Sequence, residues 1–200
     1  MFAIIEAAGW PIWPLILASV VAVAIIIERV YSLRTQEVAP PSLLLETIKS
    51  YQERGVTPEL VTRLADGSAM GRVFATALKN AHNSREIMKE SIEEAGRAVT
   101  HDLDRFLTSL GTIASMAPLL GLLGTVIGMI EIFGAQTGGT NPGQLAHGIS
   151  IALYNTAFGL IVAIPAMIFY RYFRNKVESL VVDMEQQAIK LVEIVHGERK

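Results

Sequence analysis

Three stretches of this chain are almost free of charge, and they constrain its fold more than any other feature. No Asp, Glu, Lys, Arg or His occurs from Ala7 to Ile27 or from Phe106 to Ile130, and between Ile132 and Tyr170 only His147 interrupts. At about 1.5 Å per helical residue, each of the first two windows spans roughly 30 Å or more, enough to cross a bilayer core. The third is too long for one crossing. It divides at GAQTGGTNPGQ (134–144), a Gly/Thr/Asn/Pro loop, leaving a span from His147 to Tyr170. A composition of 51% hydrophobic and 18% charged residues, with a mean hydropathy of +0.40, is too apolar for an ordinary water-soluble domain. The expectation is an all-α membrane protein with three transmembrane helices.

Orientation follows from the basic residues. All 17 Lys and Arg fall in two segments, Arg29 to Arg105 and Arg171 to the C-terminus. Positive-inside bias places both in the cytoplasm, and an odd number of spans then gives N-out, C-in. The division is an outer N-terminus (1–9), a first span (10–31), a cytoplasmic helical domain (32–105), a second span (106–133), an outer loop (134–146), a third span (147–173) and a cytoplasmic helical tail (174–200). Trp10, Trp13 and Tyr31 flank the first span, and Tyr170, Tyr172 and Phe173 close the third, as aromatic anchors do. The N-terminus lacks a basic segment and a small-residue cleavage site, so the first span is read as retained. There is no cysteine, which excludes disulfide and thiol chemistry. No catalytic constellation, metal site or cofactor motif stands out, so neither enzymatic activity nor nucleic-acid binding is expected.

Between the spans the chain reads as short helices. SLLLETIKSYQERG (42–55) stops at Gly55, Thr57-Pro58-Glu59 starts the next helix, and Gly67 ends it. AMGRVFATALKNAHN (69–83) follows, and Ser84 can cap the one after. From Ser84 onward Met88, Ile92, Ala95, Val99, Leu103 and Phe106 keep a 3/4 spacing into the second span, which predicts one helix of about 50 residues. Val177, Leu180, Met184, Ala188, Leu191 and Val195 extend the third span in the same way. The two long helices, running antiparallel with short ones beside them, make a membrane-rooted bundle.

Small residues form two stripes. In the second span they fall at Gly111, Ala114, Pro118, Gly121, Thr125 and Gly128, with Gly124 adjoining; in the third at Gly148, Ala152, Thr156, Gly159, Ala163 and Ala166. Helices in lipid associate through close backbone approach and interhelical hydrogen bonds, which small residues permit. The first span is bulky and β-branched around most of its circumference, which suits lipid. Pro118 and Pro165 each remove a helical hydrogen bond, to Ala114 and Ile161, and are expected to kink their spans. Two readings of the threonines stand side by side. Thr125 and Thr156 either bond back to their own i−4 carbonyls while the stripes pack the protein's own helices, or face a lumen or a guest helix. Asn155 is costly in lipid and is expected to face protein. No Asp, Glu, Lys or Arg lies at membrane depth, where proton relays usually place one; Glu131 and His147 flank the outer loop. If ions move, the titrating group comes from a partner.

GLLGTVIGMIEIF (121–133) followed by GISIALYNTAFGLIVAIPAMIFY (148–170) resembles the paired signature of the MotA/TolQ/ExbB proton-channel family. The three spans and large cytoplasmic loop resemble its ExbB/TolQ branch more than the MotA stators, which have four spans and longer chains. The resemblance implies a bacterial inner-membrane motor subunit with its outer segments in the periplasm. Five such chains would form a ring whose second and third spans line a pore around the single-span helices of two ExbD- or TolR-like partners, each bearing a titratable aspartate. Proton flow would then do work on a TonB-like protein, or on TolA in a TolQ-like system concerned with envelope integrity. A non-conducting membrane scaffold is the alternative of another class. By the same resemblance Thr125 and Thr156 are the pore-facing threonines. One departure stands out: Ile151 occupies the position of a family glutamate, so Ser150, Tyr154 or Asn155 is expected to supply replacement polarity. The predicted pore and packing set is thus Thr125, Thr156, Asn155 and Ser150 with Gly121, Gly124, Gly128, Ala152, Gly159, Pro118 and Pro165.

Overall fold

Local chemistry sets where several helices begin or end. A computed structural model describes residues 9–134 and 142–197. The expected N-terminus up to residue 8, the loop residues 135–141 and the last three residues of the tail lie outside the described residues. Among those described the chain forms eight helices and no strand: α1 (Ile12–Ser32), α2 (Thr35–Val38), α3 (Leu43–Arg54), α4 (Pro58–Gly67), α5 (Ala69–Lys79), α6 (Arg85–Leu103), α7 (Leu107–Gly134) and α8 (Pro142–Val195). Gly55 ends α3 at φ +67°, its N–H returning to the Tyr51 carbonyl at 2.8 Å; only glycine takes this backbone at little cost. Thr57 caps α4 by accepting from the Leu60 N–H at 3.3 Å, with Pro58 in the first turn. Ser68 caps α5 and Ser84 caps α6 in the same way, accepting from the N–H groups of Gly71 and Ile87.

Two departures from the expected elements have physical reasons. The helix from Ser84 does not run unbroken into the second span: α6 stops at Leu103, and Phe106 takes the left-handed conformation at φ +64° before α7 begins. In a continuous helix the Leu103 carbonyl would accept the N–H of residue 107. Here it accepts from the guanidinium of Arg29 at 3.0 Å, and Arg29 is 5% exposed. A buried cation requires such partners, and the last carbonyls of a helix supply them at the negative end of its dipole. The second departure is at the other end of the spans, where residues 142–146, read as loop, form the first turn of α8. Both prolines lie inside unbroken helices, Pro118 in α7 and Pro165 in α8.

The chain divides into two compact units. The first comprises Met1–Glu28 and Phe106–Tyr172, and the second Arg29–Arg105 and Phe173–Lys200. In the first, α1, α7 and α8 meet at Leu15, Ala117 and Ala163, with Leu120, Phe158 and Val162 against them. The buried edge of α1 is Ile12, Leu15, Ala22 and Ile25, while Trp13, Leu17, Val20, Val23 and Ile27 stay exposed. The outward faces of α7 and α8 are equally apolar, with Leu119, Leu122 and Ile130 on one and Ile161, Ile164 and Ile168 on the other. Three helices are long and apolar enough to cross a membrane, and these faces match a lipid environment. This is a multi-pass, all-α membrane protein with three spans.

The second unit has a core of large apolar side chains. Leu60 and Leu64 of α4, Met70, Phe74 and Leu78 of α5, Met88 and Val99 of α6, and Val177, Leu180 and Leu191 of α8 are buried. The tail positions read from the 3/4 spacing are buried from Val177 to Leu191, as is Phe173. Arg72 pairs with Asp102 at 2.6 Å and Arg174 with Asp104 at 3.9 Å on its surface.

Candidate functional site

The small residues of α7 and α8 face each other. A Cβ placed on Gly121 would lie 2.7 Å from the Asn155 carbonyl oxygen and 3.0 Å from the Thr156 Cα; on Gly159 it would lie 2.6 Å from the Ala117 carbonyl oxygen and 3.1 Å from the Gly121 Cα. One on Gly124 would meet the Asn155 side chain at 2.8 Å, and one on Gly128 would meet the Ala152 Cβ at 3.1 Å. The helix for which these glycines make room is therefore the neighbouring span of the same chain.

That closeness brings two hydroxyls together. Thr125 Oγ1 and Thr156 Oγ1 are 2.5 Å apart. Thr125 also reaches its own i−4 carbonyl, Gly121, at 3.2 Å and the Ala152 carbonyl of α8 at 3.2 Å, while Thr156 reaches the Gly121 carbonyl at 3.3 Å. The arrangement is reciprocal, because each threonine sits against the carbonyl four residues before the other. Gly121-x-x-x-Thr125 and Ala152-x-x-x-Thr156 produce it: a small residue bares its carbonyl one turn below each hydroxyl, and the two turns lie face to face. Two hydroxyls carry two hydrogens. One bridges the oxygens and the other goes to a carbonyl, so both donors are satisfied within the seam and acceptor capacity is left over. The reading of simple back-bonding describes one of the four contacts; the other three cross the seam.

The remaining predicted residues separate by face. Asn155 is 2% exposed and lies in the seam against Gly124. Ser150 and Tyr154, one turn apart, are exposed, and the Ser150 hydroxyl donates to the Ala146 carbonyl at 2.9 Å. Ala152 is buried, Pro118 half-buried and Pro165 exposed. Glu131 and His147 are exposed. Sequence reasoning missed Arg29, which read only as the first residue of a basic segment. Its signal was weak, since nothing in the pattern marks the carbonyl of Leu103 as its acceptor.

The chain that carries this threonine pair is similar to known proteins. Residues 65–186 match the model of the MotA/TolQ/ExbB proton channel family. ExbB-like 3 of Synechocystis sp. is 34% identical over 168 residues, covering 81% of this chain and 79% of its own. The biopolymer transport protein ExbB of Aquifex aeolicus is 30% identical over 162 residues, covering 78% of this chain and 96% of that protein. In fold, the chain is similar to a chain of the flagellar MotAB stator complex from Bacillus subtilis, with a TM-score of 0.66 and 20% identity over 94% of this chain and 78% of that one. The matched segment contains the whole α7–α8 seam, and with that breadth of similarity the chain belongs to the MotA/TolQ/ExbB proton channel family.

Proposed function

We propose that this protein is the ring subunit of an inner-membrane, proton-driven motor of the ExbB type, lying N-out and C-in. Five copies surround the single-span helices of an ExbD-like partner, and proton flow is converted into work on a TonB-like protein for outer-membrane uptake. The observation that carries the reading is the Thr125–Thr156 pair, a polar point within spans that contain no carboxylate at their centre. A proton carrier is then needed from outside the chain, and a protonated acid on a guest helix finds in the pair an acceptor whose own hydrogens are already committed. The carboxylate, once ionised, gains no ready donor there and is released toward water. Ser150, next to Ile151 in α8, and Tyr154, about one turn from it, are both exposed and supply the polarity that the family glutamate gives elsewhere.

Replacing the hydroxyl tests this. Thr156→Val conserves shape, keeps the Thr125 bond to Gly121 and costs at most about 1 kcal/mol of helix packing. The expected outcome is loss of proton-driven uptake with the oligomer intact by size. Full uptake in that variant would remove the pair from the proton path. Co-purification with a small single-span protein bearing a membrane aspartate distinguishes the motor from a passive scaffold. Upon deletion, lost siderophore uptake supports the ExbB-type role, whereas detergent sensitivity and chaining would assign the chain to a TolQ-like system.

A further inference from the structure

At the exit of the first span, an exposed arginine is held over an exposed aromatic ring. The guanidinium carbon of Arg34 lies 4.6 Å from the centroid of the Tyr31 ring, within cation–π range. Tyr31 is in the last turn of α1 and is 59% exposed, the position at which an amphipathic ring sits at headgroup level. Among the described residues Arg34 forms no ion pair; Glu37, one turn on in α2, is exposed and does not bridge to it. Stacking engages the flat face of the guanidinium and leaves its edges, with their N–H donors, directed away from the ring. A second cation arrives from another element. Lys176 of α8 donates from Nζ to the Thr35 hydroxyl at 2.9 Å, next in the chain to Arg34, and its ammonium keeps two further hydrogens. The preceding residue on α1, Val30, presents an exposed apolar side chain.

We propose that Arg34 and Lys176, with Tyr31 as the platform, bind the phosphate of an acidic phospholipid headgroup at the leaflet where α1 ends, with Val30 beside the acyl chain. A forked guanidinium and an ammonium from two helices provide the bidentate and point-charge donors that a phosphodiester accepts. Neither cation is required by the threonine pair, so the site stands independently of ion flow.

Native mass spectrometry of the full-length detergent-solubilised protein, with phosphatidylglycerol added, tests it. The wild type is expected to retain the lipid. Arg34→Gln with Lys176→Gln is expected to lower retention at least fivefold; glutamine at position 176 can still donate to Thr35, so the fold is kept, with circular dichroism as the check. Tyr31→Leu is expected to lower retention two- to fivefold, the factor that corresponds to an exposed cation–π contact, and Tyr31→Phe to restore it. Unchanged retention in the double glutamine variant overturns the proposal. Displacement of the lipid by an excess of inorganic phosphate overturns the lipid assignment, since the site would then serve a free anion.

Discussion

In the α7–α8 seam the close contacts are those of backbone, with the Gly121 Cα 3.1 Å from where a Cβ of Gly159 would stand; in the second unit, called the helical unit below, the core is filled by Phe74, Met70, Leu78 and Met88, each fully buried. The solvent explains the difference. Water rewards the burial of large apolar side chains by about 25 cal/mol per Å², so α4, α5 and α6 are joined by them. Lipid gives no such reward, so α7 and α8 are joined by dispersion between closely approaching backbones and by the threonine bonds. Gly71 of α5 is the exception, since a Cβ there would meet the Leu64 carbonyl oxygen more closely than at any glycine of the seam. The same contrast governs mutation. Apart from Gly71, the helical unit is vulnerable to removal of volume and the seam to its addition.

Phe74→Ala should show the largest loss. It empties the place of a fully buried ring, worth about 3–5 kcal/mol, and thermal unfolding should show the helical unit melting first. A loss below 1 kcal/mol would mean that Phe74 is not where that unit is held together. Gly159→Ala should come next, at about 1–3 kcal/mol from overpacking, since its Cβ meets the Ala117 carbonyl at 2.6 Å and only a shift of the helices relieves it. Seen as lowered resistance of the protein to heating in detergent, this loss inverts the usual benefit of alanine in a helix. Gly96→Ala is the control within the other unit. Nothing lies within 4 Å of its Cβ in mid-α6, so the substitution should stabilise by about 0.5–1 kcal/mol. If Gly159→Ala and Gly96→Ala moved stability in the same direction, the contrast between the two units would fail.

What the sequence discloses depends on how local the cause is. Charge-free windows and caps are local, and the spans and the starts at Thr57 and Ser84 follow from residues within one turn. The stripe of small residues is likewise periodic, and it locates the buried face through Gly121, Ala152 and Gly159. The partner of that stripe is not periodic information. The meeting of Thr125 with Thr156 joins positions 31 apart, and a hydroxyl that can satisfy itself locally gives no sign that it does otherwise. The break at Phe106 is hidden for the same reason: Arg29, the side chain that takes the Leu103 carbonyl, comes from 74 residues away, and no glycine or proline marks the place.

The smallest expected effect lies on the surface of the helical unit. The Arg72 guanidinium, hydrogen-bonded to Asp102 at 2.6 Å, holds that carboxyl below the usual aspartate range. A carboxyl whose folded value is depressed favours the folded state in full above its unfolded value near pH 4 and loses that contribution as the pH falls through the folded value. Both side chains are about half exposed, so solvent and salt screen the pair and its worth is on the order of 0.5 kcal/mol or less. Asp102→Asn should therefore lower the melting temperature slightly at neutral pH. The gap from the wild type should close both on acidification below about pH 4 and in molar salt. A gap that persisted under both conditions would show that position 102 contributes through packing instead, and would bring this surface under the same rule of volume that governs the core around Phe74.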